Sequence, residues 1–263
     1  MTPPYETIVF ALDAGLATIT LNTPERGNAV AKKFGQEFRA AALICQTNPT
    51  VRAVLLRAEG KAFCVGGDLK DFAGQADLPA AVKDMTIDFH AAVSMLARMD
   101  APLVCAVNGI AAGAGLTMAC LADYVIAGTS AAFTYAYAGV GFTADGGLTW
   151  LLPRLVGLRN FQSLLLSGRV VPAAEALALG IVSEVVDDAE LPARAETFAR
   201  RLSQGPTKAY GGIKRLALAS FSQAYEAHLE AEAQALFLAA GTEDARGAIA
   251  AMAARQKPVF NGR

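Results

Sequence analysis

Between Asp100 and Asp145 the chain carries one formal charge, Asp123, and is dense in glycine and alanine. Few surfaces in water can be built from such a stretch, so most of it must lie inside a fold. Leu103-Val104-Cys105-Ala106-Val107 has the length and composition of a buried strand, Asn108-Gly109 punctuates it, and Ala114 to Leu121 reads as a small-residue helix. The run from Ala101 to Ala122 is long enough to cross a bilayer. Pro102, Asn108-Gly109 and two further glycines break it, and the pattern is strand, turn and helix instead.

The glycines Gly109-x-x-x-Gly113-x-Gly115 match neither the dinucleotide fingerprint nor a phosphate-binding loop, which requires a following lysine. Two readings stay open. The glycines can be a device for close helix–strand packing. Alternatively, Gly113-Ala114-Gly115 opens a helix whose first N–H groups and dipole favour negative charge. A second loop, Gly66-Gly67-Asp68, offers another free N–H. Two such donors converging on one oxygen would form an oxyanion hole and point to chemistry on a carbonyl compound. Asp145 leaves the same apolar segment, where desolvation favours the protonated acid and suits a base that must return its proton. The competing role for Asp145 is to cap a helix starting near Gly147.

With 263 residues, 54% apolar and 18% charged, the chain can bury a large core and is expected to hide further apolar surface between subunits. A net charge of −1 without a basic run gives nucleic-acid binding no electrostatic support. Cys45, Cys64, Cys105 and Cys120 are scattered and the chain has two histidines, so no Cys/His metal site is expected. Unpaired cysteines suggest a reducing, cytoplasmic setting. The segment Met1-Thr2-Pro3-Pro4-Tyr5-Glu6 lacks the basic start and apolar core of a secretion signal. No membrane association is expected.

Along the chain, Thr7–Leu12 and Leu16–Leu21 read as a hairpin around Asp13-Ala14-Gly15. Asn28 is expected to cap a helix reaching the early forties, with Val30, Phe34, Phe38 and Leu43 as its apolar stripe. A strand at Val51–Arg57, a helix from the eighties to Met99 and strands at Tyr124–Ala127 and near Phe133 follow. Helices are expected at Gly147–Leu155, Asn160–Leu166 and Pro172–Leu179, with a strand at Ile181–Val185. From Leu191 onward the pattern is helical, with turns near Gly205-Pro206 and Gly241-Thr242. This is an α/β core, residues 1–200, followed by a helical region, 201–263.

Ala62-Phe63-Cys64-Val65-Gly66-Gly67-Asp68-Leu69-Lys70 resembles the first signature of the enoyl-CoA hydratase/isomerase (crotonase) superfamily, and Val107-Asn108-Gly109-Ile110-Ala111-Ala112-Gly113-Ala114-Gly115 its second. The resemblance continues through Asn28-Ala29-Val30, the segments 146–157 and 174–182, and Lys257-Pro258-Val259-Phe260. It implies a spiral of ββα units, a C-terminal helical trimerisation region, trimers or pairs of trimers, and an acyl-CoA thioester substrate. It implies no metal or redox cofactor. The N–H groups of Gly67 and Ala114 would hold the thioester oxygen as it becomes an enolate. Arg26, Ala29, Ala62, Phe63, Val65, Gly66, Lys70 and Lys257 (or Arg255) would meet the CoA portion.

The chain departs from the hydratases of that superfamily. Their two catalytic glutamates align with Thr117 and Tyr137, neither of which can do carboxylate acid/base work near neutral pH. Asp145 within Phe142-Thr143-Ala144-Asp145-Gly146-Gly147 resembles the aspartate of family isomerases, especially those acting on ring-opened or epoxidised phenylacetyl-CoA. The expected activity is therefore acyl-CoA isomerisation with Asp145 as acid/base and Thr117, Tyr137, His90 and Phe142 around the acyl group. Phe133 and Tyr135 are further candidates for an aromatic pocket wall, or ordinary strand residues. His90 is most simply an exposed or structural histidine. The aroyl-CoA dehalogenases of the family, however, pair an aspartate near Asp145 with a histidine near His90, and place tryptophan where this chain has Tyr137. A hydrolase with nucleophilic Asp145, a hydratase with unusual acid/base groups and a non-catalytic acyl-CoA-binding protein are the other readings.

Overall fold

The computed structural model describes residues 5–263; Met1–Pro4, part of the segment read above for a secretion signal, lie outside the described residues. Strands β1 (Ile8–Asp13) and β2 (Leu16–Leu21) form an antiparallel hairpin. Its two-residue turn puts both Ala14 and Gly15 at positive φ, 45° and 85°. That backbone twist matches the twist of paired strands.

From β2 the chain repeats one manoeuvre. It passes through α1 (Lys32–Thr47) to β3 (Ala53–Ala58), then through α2 (Leu69–Ala73) and α3 (Leu78–Arg98) to β4 (Leu103–Val107). Next come β5 (Ile110–Ala112), α4 (Ala114–Leu121), β6 (Tyr124–Gly128) and β7 (Ala132–Thr134). Helices α5 (Leu148–Val156) and α6 (Leu158–Ser167) precede β8 (Val171–Pro172), α7 (Ala173–Leu179) and β9 (Glu184–Val186). The large sheet has the order β1-β2-β3-β4-β6-β9, parallel beyond the hairpin, and a small sheet has the order β5-β7-β8. Each turn thus lays a strand on the large sheet and then, for β5 and β7, a short strand on the small one. This is the expected spiral of ββα units.

Both faces of the large sheet are covered, which is why its strands are apolar at successive positions rather than alternating. Val54 and Leu56 face the main core with Leu103 and Cys105. Ala53 and Leu55 face the second core, where Leu191, Ala195 and Phe198 of α8 (Leu191–Ser203) pack. On the main side α1 and α3 lie together, with Phe34, Phe38 and Phe89 stacked at 5.3 and 6.3 Å between successive ring centroids. Beyond Ser203 the chain forms α9 (Thr207–Ser220), α10 (Tyr225–Ala240) and α11 (Glu243–Ala253). The expected break at residue 200 falls inside α8.

Helix α10 has no buried residue, and Tyr225, Leu236, Phe237 and Leu238 are each at least 70% exposed. The last residues return to the core: Arg52 donates to the oxygens of Gly205 and Phe260, and Asp244 accepts from the N–H groups of Asn261 and Gly262.

Three expectations are corrected. Asn28 caps no helix: α1 begins at Lys32 after Ala31. Asn28 is buried at φ 55°, and its side chain accepts from Thr23 N–H and donates to the oxygens of Glu59 and Ala62, each at 2.9 Å. The stripe of α1 is completed by Ala41, Ala42 and Cys45, while Leu43 is exposed. The strand expected at Ile181–Val185 shortens to β9, because Ile181 and Val182 turn into the core as the chain leaves α7.

Asn28→Asp would turn a donor facing two carbonyls into a buried anion, and the loss should be about 3 kcal/mol or more. Thermal or denaturant unfolding of the variant checks it. All four thiols are buried and free. Burial pushes Cys45, Cys64 and Cys120 up to about 12 and Cys105 higher still. The native protein should therefore resist alkylation by iodoacetamide at pH 8 and react at all four sites once unfolded, read by intact mass.

Candidate active site

The site is assembled at the C-terminal ends of β3 and β4, where the parallel strands release their loops. After β3 the backbone of residues 59–68 is held from three sides. Asn28 bonds its start, Val30 N–H donates to Gly66 O at 2.7 Å, and Asp68 N–H donates to Val30 O at 2.9 Å. Between the last two bonds Gly67 N–H is left without an acceptor among the described residues. Asp68 holds the far side, its Oδ1 accepting from Lys70 N–H and Asp71 N–H at 3.1 Å each, as an N-cap of α2.

The second loop lies directly on the first. Phe63 and Cys64 N–H both donate to Ile110 O, and Ala112 N–H donates to Cys64 O. A Cβ on Gly109 would sit 2.0 Å from Lys61 O, and one on Gly115 2.3 Å from Cys64 O. These two glycines are therefore required for packing. Gly113 serves the other reading: at φ 52° and ψ −115° it turns the chain into α4 and leaves Ala114 N–H as the first unpaired donor of that helix. A Cβ on Gly113 would lie 3.5 Å from Gly66 Cα, so the two loops meet. Gly67 and Ala114 line one cavity of about 120 Å³.

Asp145 lines the same cavity and does not cap α5, whose N-cap is Gly147. Its carboxylate has a neighbour at each oxygen. Tyr137 Oη donates to Oδ1 at 2.6 Å, and His90 Nε2 lies 3.3 Å from Oδ2. Gly146 N–H also donates to His90 Nε2, at 3.0 Å. Gly146 permits this placement: a Cβ there would come within 2.6 Å of Thr117 Cγ2 and 2.8 Å of Phe89 Cε1. Burial, followed by the nearby Asp145 carboxylate, pushes the Tyr137 hydroxyl well above the ordinary phenol range, so it remains a donor. Thr117 is wholly buried beneath, its hydroxyl within 3.3–3.4 Å of Gly113 O, Tyr137 Oη and Asp145 O.

Gly67, Ala114, Asp145, Tyr137 and Phe142 are thus brought to one cavity, together with Val65 and Gly66. His90 borders Asp145 but faces a second, wider cavity. Phe133 and Tyr135 are buried in the core, not in the wall. Phe63 is also buried, so only its backbone can face a ligand. Ala29 and Ala62 are half-buried, and Lys70 is exposed. Arg26 is half-exposed and ion-paired with Asp68. Lys257 is exposed on the tail that returns to Arg52, just before the start of β3, whereas the site loop follows its end. Within one chain Lys257 therefore lies away from the site. Phe72, Val82 and Met85 line the cavity opposite Asp145 and were missed in the sequence, where they look like ordinary helix-stripe residues.

The sequence pattern of the enoyl-CoA hydratase/isomerase family matches residues 11–263. The chain is 36% identical to the 1,2-epoxyphenylacetyl-CoA isomerase of Escherichia coli (strain K12), covering 98% of this chain and 99% of that one. It is 30% identical to 4-chlorobenzoyl coenzyme A dehalogenase-2 of an Arthrobacter species over 86% of this chain and 83% of that one. Among solved structures, an enoyl-CoA hydratase from Polaromonas sp. JS666 superposes with a TM-score of 0.91 at 27% identity, covering 97% of this chain and 99% of that one. Two loops donating free N–H groups to one cavity, in a spiral matched along its length, make the chain a member of the enoyl-CoA hydratase/isomerase (crotonase) family.

Proposed function

We propose that the protein is an acyl-CoA isomerase. The observation that carries this reading is Asp145, a carboxylate on the same cavity as the Gly67 and Ala114 donors, with Tyr137 bonded to one of its oxygens. The thioester oxygen accepts from Gly67 N–H and Ala114 N–H. Charge that develops there on enolisation is met by two prealigned dipoles, each worth on the order of 3 kcal/mol. Asp145 takes a proton from the acyl chain and returns it at another carbon, shifting a double bond or rearranging the acyl group. The shuttle is complete with protein groups. Apolar walls from Phe72, Phe142, Met85 and Val82 suit an acyl or aryl group and exclude water.

The CoA portion follows the backbone of Ala62, Phe63, Val65 and Gly66 past Ala29, with Lys70 and Arg26 available to its phosphates. Hydration is disfavoured because Thr117 and Tyr137 stand where family hydratases carry glutamates, and neither can serve as a carboxylate base. The exposed apolar face of α10 supports assembly into trimers or pairs of trimers through the C-terminal helices. No helix among the described residues is long and apolar enough to cross a membrane, and the buried free thiols support a reducing, cytoplasmic compartment.

A second reading is favoured by the contact of His90 with Asp145 and by the dehalogenase relative. In it Asp145 attacks the halogen-bearing carbon of the acyl group and expels halide, and water then hydrolyses the resulting aspartyl ester at its carbonyl, freeing the hydroxylated acyl-CoA and the carboxylate. Turnover in H₂¹⁸O separates the two, since only the nucleophilic route leaves ¹⁸O in the Asp145 peptide.

Incubation with 2- and 3-enoyl-CoA esters should give double-bond migration without added water. Asp145→Asn should lower that rate on the order of 10³-fold while CoA-ester binding persists. Full activity in the variant would remove Asp145 from the mechanism. Gly115→Ala forces α4 off Cys64 and displaces Ala114 N–H. It should cost about 10²-fold in kcat/KM, the scale of one lost oxyanion donor. For assembly, light scattering should give a mass of three or six chains, and Phe237→Glu with Leu236→Glu should shift it toward one.

A further inference from the structure

Asp145 lines the first cavity and its side chain is 20% exposed there; with an acyl group filling that cavity, its two oxygens leave two routes for a proton, and the structure closes one of them. On the Oδ1 side Tyr137 donates at 2.6 Å, and behind it lies only the wholly buried Thr117. Tyr137 otherwise borders only the first cavity, so with substrate in place that branch has no outlet. On the Oδ2 side stands His90 Nε2 at 3.3 Å. The His90 side chain is 48% exposed, and it lines a second cavity of about 660 Å³ with Ser94, Arg98, Trp150 and Arg215. Among the described residues it is the one titratable side chain that both touches Asp145 and borders that cavity.

The ring is also set in one tautomer. A backbone N–H can only donate, so the 3.0 Å bond from Gly146 N–H requires a lone pair on Nε2. The neutral ring then carries its proton on Nδ1. Oδ2 stands 3.3 Å from the same Nε2, so a proton that Asp145 has just removed from substrate takes that lone pair in place of the Gly146 N–H bond, which is released while the ring is an imidazolium.

We propose that His90 is the proton outlet of Asp145, relaying the abstracted proton to water in the second cavity. This rests on the acid/base reading of Asp145 given above. The step balances without another reagent. The Oδ2–H bond of the carboxylic acid breaks and an Nε2–H bond forms, giving a carboxylate and an imidazolium. Nδ1–H then passes its proton to a water molecule in the second cavity. The return sequence, with a proton entering from water, restores the acid and delivers solvent hydrogen to the product. His90 acts through Asp145 and does not touch the reacting carbons. Its effect is to decide whose hydrogen the product carries.

The test is turnover of a medium-chain 3-enoyl-CoA in D₂O at low conversion, with deuterium counted per product molecule. The wild type should place solvent deuterium in most product molecules. His90→Gln keeps an acceptor for Gly146 N–H but cannot relay, and its product should carry at least about threefold less deuterium per turnover. Because the quantity is a ratio, a slower variant is read on the same scale, and a role in packing alone would leave it unchanged. Equal deuterium content in the two proteins would overturn the relay while leaving Asp145 as the base. Complete loss of turnover in folded His90→Gln would also overturn it, because His90 would then be needed for the chemistry itself. A wild type that neither shifts double bonds nor exchanges acyl protons would remove the isomerase reading and this inference with it. A second measurement needs no change at position 90. ¹⁵N shifts of the two histidines, separated with His228→Gln, should show His90 protonated at Nδ1 and bare at Nε2 in the neutral ring. A proton on Nε2 would overturn the proposal.

Discussion

The site depends on how closely α4 approaches the backbone of residues 61–66. Gly109 and Gly115 press against Lys61 O and Cys64 O at distances that leave no room for a β-carbon. Hydrogen bonds between Ile110, Ala112 and the Phe63–Cys64 segment fasten the same seam. The two loops become one rigid body, and the spacing of the Gly67 and Ala114 donors is set by backbone contact, not by side-chain rotamers. Prealigned donors need no reorganisation when charge appears between them, and much of their value in catalysis comes from that.

Around this seam the polar residues act mainly as clamps. Asn28 ties the entry of the first loop, and Asp68 ties its exit while pairing with Arg26. Thr117 links the first turn of α4 to Tyr137 and to the backbone of Asp145. The carboxylate is thereby referenced to the same helix that supplies Ala114. The Asp145 carboxylate and the Ala114 N–H cannot drift apart without breaking that buried network.

Much of this was legible in the chain. The strand Leu103–Val107 and the helix Ala114–Leu121 stand where the glycine-punctuated apolar run put them, because no charge competes there with burial. Gly67, Ala114 and Asp145, each singled out in a motif segment, line one cavity. Asn28 was misread because asparagine just before a periodic apolar run looks like a cap. Two of its partners, Glu59 and Ala62, are more than thirty positions away. Local spacing likewise has no means of joining His90 to Asp145, 55 positions apart, or of choosing Phe72, Val82 and Met85 from among many apolar helix residues. Such pairings belong to the packing of α2 and α3 over the sheet, which periodicity suggests only as a burial face.

Arg52 stands just before β3 and holds the oxygens of Gly205 and Phe260, 153 and 208 positions further along, together with the hydroxyl of Thr207. A chain emerging from the ribosome can assemble the early strands as it appears, since domains form from the N-terminus during synthesis. It cannot close this clasp until Gly205 and Phe260 have both been made. The full set of partners of the Arg52 guanidinium is therefore complete only some 208 positions after Arg52 itself is made. The exposed apolar helices α10 and α11 are made after the sheet is complete, immediately before the segment that ties them to the core.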